Sequence, residues 1–413
     1  MKTNKQTINK ILYVLILFLI LMVTGCKYFI EEVTKNKSYK FHETITVLPK
    51  GTDGTVGTDG VYVYFGDWPQ TIKADDVTID EEESIIMGSN IYYKGSDGNY
   101  YVRCLEDASS NELYYSNQTP VLTKESNSYK YFKIEPIKWR VIDTNFDHDL
   151  NAGTPGKKLL FAETILTGNI NFYDYEHKKR LDDVQKQKYN QLQKLKPTGL
   201  LDALSSKLLN EIINGGSIYP NNYKHSKVRA FLNGLSYEIR PDDSPVQSLN
   251  NMYAGKGFLQ TAFTDKAQLL IEVTTVDNSV DSAGYQYYLQ TDTFYSANDY
   301  SCENTYDKVF LLSNKERSNK NYNLYISVYK LTDYAKANYV WYKYNYGKYF
   351  LRSPLYQPEW IEDYCYKVEV SDNREEINGC LQVTSHGCIH TGDRIGADSY
   401  NKIGIVPAIV VDF

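Results

Sequence analysis

Ile137-Lys138-Trp139-Arg140-Val141 decides the fold class, because its apolar side chains fall at every second position with the two cations between them. Alternation with a period of two belongs to a β-strand that turns one face to a core, and Trp139 is the expected anchor of that face. Short alternating or aliphatic runs recur at 61–65, 91–93, 100–105, 158–162, 309–312, 366–370 and 405–411, all of strand length and rich in β-branched or aromatic residues. Helical patterns lie at 176–196, 200–213, 227–235 and 257–268, the second bounded by Pro197-Thr198-Gly199 and Gly215-Gly216. Strands and helices that do not alternate one for one predict an α+β fold rather than a doubly wound parallel sheet. The polar stretch 176–213 reads as an inserted helical arm.

The chain has 413 residues, 42% hydrophobic and 23% charged, with a formal charge of −6. That balance excludes a disordered chain and a polytopic membrane protein. Without lysine and arginine blocks it also argues against nucleic acid, whose binding needs a concentrated basic face. No Walker loop, GxGxxG after a strand or Ser-His-Asp order appears, so no cofactor is implied. Asp147-His148-Asp149 and Asp242-Asp243 read as exposed loops and turns, not metal ligands.

The N-terminus carries an address. Lys2, Lys5 and Lys10 precede an unbroken apolar run at 11–23, too short for a bilayer-spanning helix and of signal-peptide length. Val23-Thr24-Gly25-Cys26 then resembles the bacterial lipobox, in which small residues admit the peptidase and the cysteine thiol takes a diacylglyceryl group. The expected organisation is a signal peptide at 1–25, a lipid anchor at Cys26 with a flexible tether to residue 60, and a single domain at 61–413. The tether ends in two Gly-Thr-Asp-Gly units, 51–54 and 57–60, with room for a fraying strand near 45–48. The protein is then extracytoplasmic, held in the cell envelope with the membrane as its partner.

Tyrosine is the outlier: 39, against 15 Phe and 4 Trp. Many fall between 281 and 350, around Tyr285-Gln286-Tyr287-Tyr288 and Trp341-Tyr342-Lys343-Tyr344-Asn345-Tyr346. A large ring with few rotamers and a polar tip suits a recognition surface for glycan or protein. The same residues are also ordinary occupants of half-exposed strands.

The runs fall in an order that resembles the bacterial domain family of unknown function numbered 6273. Matching pieces are Tyr64-Phe65-Gly66-Asp67-Trp68-Pro69-Gln70, residues 137–142 and 158–163, Lys227-Val228-Arg229-Ala230-Phe231-Leu232-Asn233-Gly234, Asp307-Lys308-Val309-Phe310-Leu311-Leu312-Ser313, Phe350-Leu351-Arg352-Ser353-Pro354 and Ile405-Val406-Pro407-Ala408-Ile409-Val410. Val406 stands where the family usually has an arginine and Phe350 where it has a tryptophan, while Arg352 remains. More distantly the resemblance implies a C-type-lectin-like fold, as in formylglycine-generating enzymes: a twisted antiparallel sheet, flanking helices and long loops. Those loops, at 236–305 and 314–349, would form the ligand-facing side. Tyr342, Tyr344, Tyr346 and Arg352 are the expected binding residues.

One motif points elsewhere. Ser385-His386-Gly387-Cys388-Ile389-His390 resembles the nucleophile segment of L,D-transpeptidases, which would make Cys388 a thiolate nucleophile and His386 its base. That family also needs an upstream histidine, and the nearest here is His225; its usual arginine is His390. Beyond Cys26, the cysteines Cys104, Cys302, Cys365, Cys380 and Cys388 are odd in number, so at least one stays unpaired within the chain. The sequence therefore supports a non-catalytic binding or adhesion lipoprotein, against a peptidoglycan-modifying cysteine enzyme and a purely structural envelope protein.

Overall fold

The alternating stretch lies inside one long strand, Tyr129–Phe146, that pairs with three others. The computed structural model describes residues 40–49, 61–109, 113–150, 153, 155–170, 172, 223–236, 253–283, 303–324, 329–343, 346, 347, 349–354, 365–368 and 403–413, and the fold below is that of the unit Phe41–Phe413. The strands are β1 (Thr46–Val47), β2 (Tyr62–Ile72), β3 (Ile79–Met87), β4 (Asn90–Gly95), β5 (Tyr100–Leu105), β6 (Tyr129–Phe146), β7 (Lys157–Ala162), β8 (Thr164–Ile165), β9 (Thr274–Val276), β10 (Thr305–Asp307), β11 (Val309–Phe310), β12 (Lys330–Leu331), β13 (Tyr342–Lys343), β14 (Tyr346–Gly347), β15 (Tyr349–Pro354), β16 (Cys365–Val368) and β17 (Ala408–Val411). Short helices are α1 (Lys227–Asn233), α2 (Phe258–Ala262), α3 (Asp265–Gln268), α4 (Val280–Ala283), α5 (Asn314–Arg317) and α6 (Asp333–Ala337).

Among the described residues the main sheet has nine strands, in the order β11-β17-β7-β6-β5-β4-β3, with β2 also on β6 and β1 on β2. Every pairing in it is antiparallel. The α+β class expected from the sequence is thus present. A smaller sheet, β13-β14-β12-β8, contains the parallel pair β12–β8.

The core sits on the Trp139 face. Trp139 is fully buried and its Nε1 donates to the Phe65 carbonyl at 2.8 Å; the Phe263 ring lies over it and 5.0 Å from Phe65. Trp68 packs on Phe258 at 4.8 Å and donates Nε1 to the Leu166 carbonyl. Gly66, at φ +70°, lets β2 pass beneath Phe263, since a Cβ there would stand 2.4 Å from that ring. The helix expected at 257–268 is two helices instead: Phe263 is extended, which turns its ring onto the sheet, and Thr264 caps α3 by accepting from the Ala267 amide. Burial of the ring outweighs continuity of so short a helix.

The opposite face differs from the solvated side that alternation predicts. Arg140, facing away from Trp139, is buried, and every residue of β17 is inaccessible. The covering side chains, among them Tyr329 and Tyr349 against Phe161, come from more than 150 residues downstream in the numbering. The strand near 45–48 forms as β1, and residues 41–49, read above as tether, are docked on the body: Leu48 donates its amide to the Tyr62 carbonyl.

The sheet ends at β11 against a helix. Ser226 caps the start of α1 through the Arg229 amide, and Gly234 at φ +66° ends it. Its last residue, Asn233, then acts as a neighbouring strand: Oδ1 accepts from the Lys308 and Val309 amides, each at 3.1 Å, and Nδ2 donates to the Val309 carbonyl at 2.7 Å. Asn233→Ala orphans two amides and a carbonyl in a buried setting. It should lower unfolding stability by about 3 kcal/mol in urea titration, and a change under about 0.5 kcal/mol would show that the carboxamide does not close the edge.

Candidate functional site

The segments 310–317 and 349–354 bring two buried arginines, Arg317 and Arg352, together with Glu316. Ser313 caps α5 reciprocally: its Oγ accepts from the Glu316 amide and its own amide donates to Glu316 Oε2. The same carboxylate binds Arg352, whose Nη1 and Nη2 donate to Glu316 Oε2 and Oε1 at 2.6 and 2.9 Å. Arg352 also donates to the Leu311 and Asp277 carbonyls. It is 2% exposed, and although burial opposes its charge, Glu316 holds its pKa above the ordinary value.

Arg317 is adjacent in the helix but diverges from Glu316 by the helical turn. It too is 2% exposed, yet its Nε and Nη2 make no hydrogen bond, and neither does the buried hydroxyl of Tyr349. Burial raises the Tyr349 pKa while Arg317, through its charge and then its side-chain contact, restrains it, so the two groups lie close together. The Tyr329 ring lies 5.0 Å from Tyr349 and 5.3 Å from Phe161. Its phenol is held well above the ordinary pKa, first by burial and then by Tyr349 and Glu163, against the pull of Arg140 and Arg317. Arg317, Arg352, Glu316, Tyr329 and Tyr349 thus gather over the sheet face opposite Trp139, the face on which Arg140 also lies.

A second polar centre fixes the start of the body. Asp67, fully buried, accepts from the His42 amide at 2.7 Å, and its other oxygen lies 2.6 Å from His42 Nδ1. Glu43 next to it accepts from Thr264 Oγ1 at 3.0 Å and from Lys266 Nζ at 3.2 Å. No motif reading singled out His42, because its partner is 25 residues away.

The expected binding residues fare differently. Tyr342 is buried, donates its hydroxyl to the Tyr114 carbonyl at 2.6 Å and has Lys336 Nζ 5.2 Å from its ring. Arg352 is the clamp just described. Both are engaged by contacts within the fold. Tyr346 lies in β14 with its side chain outside the described set, and Tyr344, Cys26, Cys388 and His386 lie outside the described residues. Of the described tyrosines in the rich region, Tyr322, Tyr329 and Tyr349 are also buried, whereas Tyr306 is exposed. Partners far away in sequence decide this, the Tyr114 carbonyl for Tyr342, Asp143 for Tyr322 and the Phe161 ring for Tyr329 and Tyr349, so single-residue composition could not. Among the described residues Cys104 is a free thiol, and burial pushes its pKa up to about 12, which keeps it protonated and unreactive. The described residues contain no group of three or more His, Cys, Asp and Glu placed to hold a metal, and no helix long and apolar enough to cross a membrane.

The fold and these centres define an α+β protein whose buried charged groups come from both halves of the chain, Asp67, Glu106 and Arg140 from the first and Asp307, Arg317, Asp333, Lys336 and Arg352 from the second. The family model described as "Domain of unknown function (DUF6273)" matches residues 204–411, and the chain belongs to that family. No curated protein and no solved structure matches it. The matched span contains α1, α5, β11, β15 and β17, while β6 and β7, which pair into the same sheet, precede it.

The Glu43 carboxyl is held below its ordinary value of 4.5, chiefly by the Thr264 hydroxyl and then by Lys266. A depressed carboxyl contributes stability that is present above its unfolded pKa and is lost as pH falls through the folded one. Amide protection across 41–48, relative to β6, should therefore decline between about pH 6 and about pH 3. Glu43→Gln should flatten that decline, and an unchanged profile in the variant would assign it to another group.

Proposed function

We propose that this protein is a lipid-anchored, extracytoplasmic binding lipoprotein with no catalytic role, whose body is C-type-lectin-like and takes an anionic group of an extracellular glycan. The anchor rests on Lys2, Lys5 and Lys10, the apolar run 11–23 and Val23-Thr24-Gly25-Cys26. The lectin-like reading draws support from the antiparallel sheet with short flanking helices.

The observation that carries the binding reading is Arg317. A buried guanidinium whose Nε and Nη2 are both unpaired is costly to keep, and those two nitrogens form the edge that grips a carboxylate or phosphate bidentately. Tyr349 offers a further hydroxyl beside it, and the Tyr329 and Tyr349 rings give a sugar an apolar wall. Access requires the covering side chains to part, so the ligand binds by shifting a minor open state.

Titrating the full-length protein with uronic-acid oligosaccharides and with neutral ones of equal length tests this. The acidic series should bind, and Arg317→Met should weaken it by about tenfold to a hundredfold, the loss of a charge-assisted contact of about 1.5–3 kcal/mol. Because the variant removes an unpaired buried charge, its thermal midpoint should hold or rise. Equal affinity of wild type and variant, or no preference for acidic over neutral chains, would refute the assignment.

A further inference from the structure

The apolar run Leu269-Leu270-Ile271-Glu272-Val273 behaves unlike the rest of the core-forming sequence. Only Ile271 turns inward, at 2% exposure, while Leu269 is 81%, Leu270 39% and Val273 52% exposed. Thr275 pairs with Tyr306, so Val273, two residues before it, shares a face of the β9–β10 ladder with Tyr306, itself 64% exposed. The backbone beneath is held firmly. The amides of Leu269, Leu270 and Ile271 donate to the carbonyls of Lys266, Ala267 and Gln268, Ile271 bridges to Val411, and Glu272 donates its amide to the Val410 carbonyl. Lys308 Nζ donates to the Gln268 carbonyl at 2.5 Å, joining the end of α3 to the residue that follows β10, the strand that carries Tyr306. Large apolar side chains are therefore displayed outward on a fixed support, which is what marks an interaction surface.

Where the chain enters the body says what covers it. Glu43 is held by Thr264 and Lys266, and Leu269 follows Lys266 by three residues. Fifteen residue steps separate Cys26 from Phe41, a reach of at most about 50 Å even when fully extended. A lipid at Cys26 would thus keep this face at high local concentration near the bilayer. Leucine and valine suit the boundary between headgroups and acyl chains, and tyrosine suits the headgroup level.

We infer that Leu269, Leu270, Val273 and Tyr306 form a membrane-contacting face that beds the body on the bilayer beside its own anchor, fixing which side the protein presents outward. This rests on the lipid-anchored reading above.

The test uses the full acylated chain in vesicles of phosphatidylethanolamine and phosphatidylglycerol, with and without brominated acyl chains. Leu269→Trp adds an indole at an exposed position, and Val273→Trp supplies a second reporter should the first perturb folding. Tryptophan emission of the unsubstituted chain is the background. With the face embedded about 5–10 Å deep, the added emission should shift to the blue and fall by roughly half or more on bromination. If the chain floats with the vesicles but the added emission at both positions is no more quenched than the background, the membrane-contacting face is refuted and the anchor stands. If the unsubstituted chain does not float, or floats equally as Cys26→Ser, the anchor fails and the inference fails with it.

Discussion

The edge of β11 is the constraint on which the rest of the body depends. A strand that ends a sheet leaves amides and carbonyls in want of partners, and water supplies them only where the edge is exposed. Here it is buried, and Asn233 replaces the missing strand with one carboxamide that both accepts and donates. Arg229, one turn earlier in α1, grips Asp307 through Nε and Nη2 at 2.8–3.0 Å, and Thr305 Oγ1 donates to the same carboxylate. Helix, ladder and sheet are thereby locked in one register, and β17 is held between β11 and β7 with both faces buried. The family segments 227–234, 307–313 and 405–410 meet at this junction.

The paired arginines of the C-terminal half show how neighbouring positions acquire different roles. Arg352 has a carboxylate and two carbonyls within reach, so its charge is absorbed by the fold. Arg317 is equally buried but lacks partners on the edge best suited to grasp an anion. Buried charges left unpaired work against stability, and proteins retain them mostly where something else makes use of them. The same division appears at the surface, where Ile271 stabilises the body and its neighbours project outward on the support it provides.

Much of the fold was legible in the sequence and less of the site. Period-two alternation placed β6, continuous aliphatic runs placed β7 and β17, and Trp139 is the anchor the alternation predicted. The Ser226 and Gly234 caps match a helix near 227–235. Strand β3 was missed because Asp80-Glu81-Glu82-Glu83 hides its pattern; the carboxylates stay solvated or are paired across the sheet, as Glu83 is with Lys94 at 2.6 Å. Helix α6 was missed because its five residues are too few to show a period, although Thr332 caps it and Asp333 accepts from the amides of Ile72 and Ser116, far upstream. The tyrosines could not be sorted from their spacing alone, since Tyr342 and Tyr306 differ only in what packs on them.

By itself the sequence determined the α+β class, the strands with clear alternation, the capped helix α1 and the family segments, because each is encoded in side-chain periodicity or in residues a few positions apart. Only the tertiary structure decided that Arg140 lies under cover, that Arg352 is a clamp, that Arg317 keeps Nε and Nη2 without hydrogen bonds, and that His42 belongs to Asp67. Those outcomes depend on groups brought together by strand register across tens to hundreds of residues. A local pattern states which way a side chain points from its own strand, and it carries no information about what the rest of the chain lays over it.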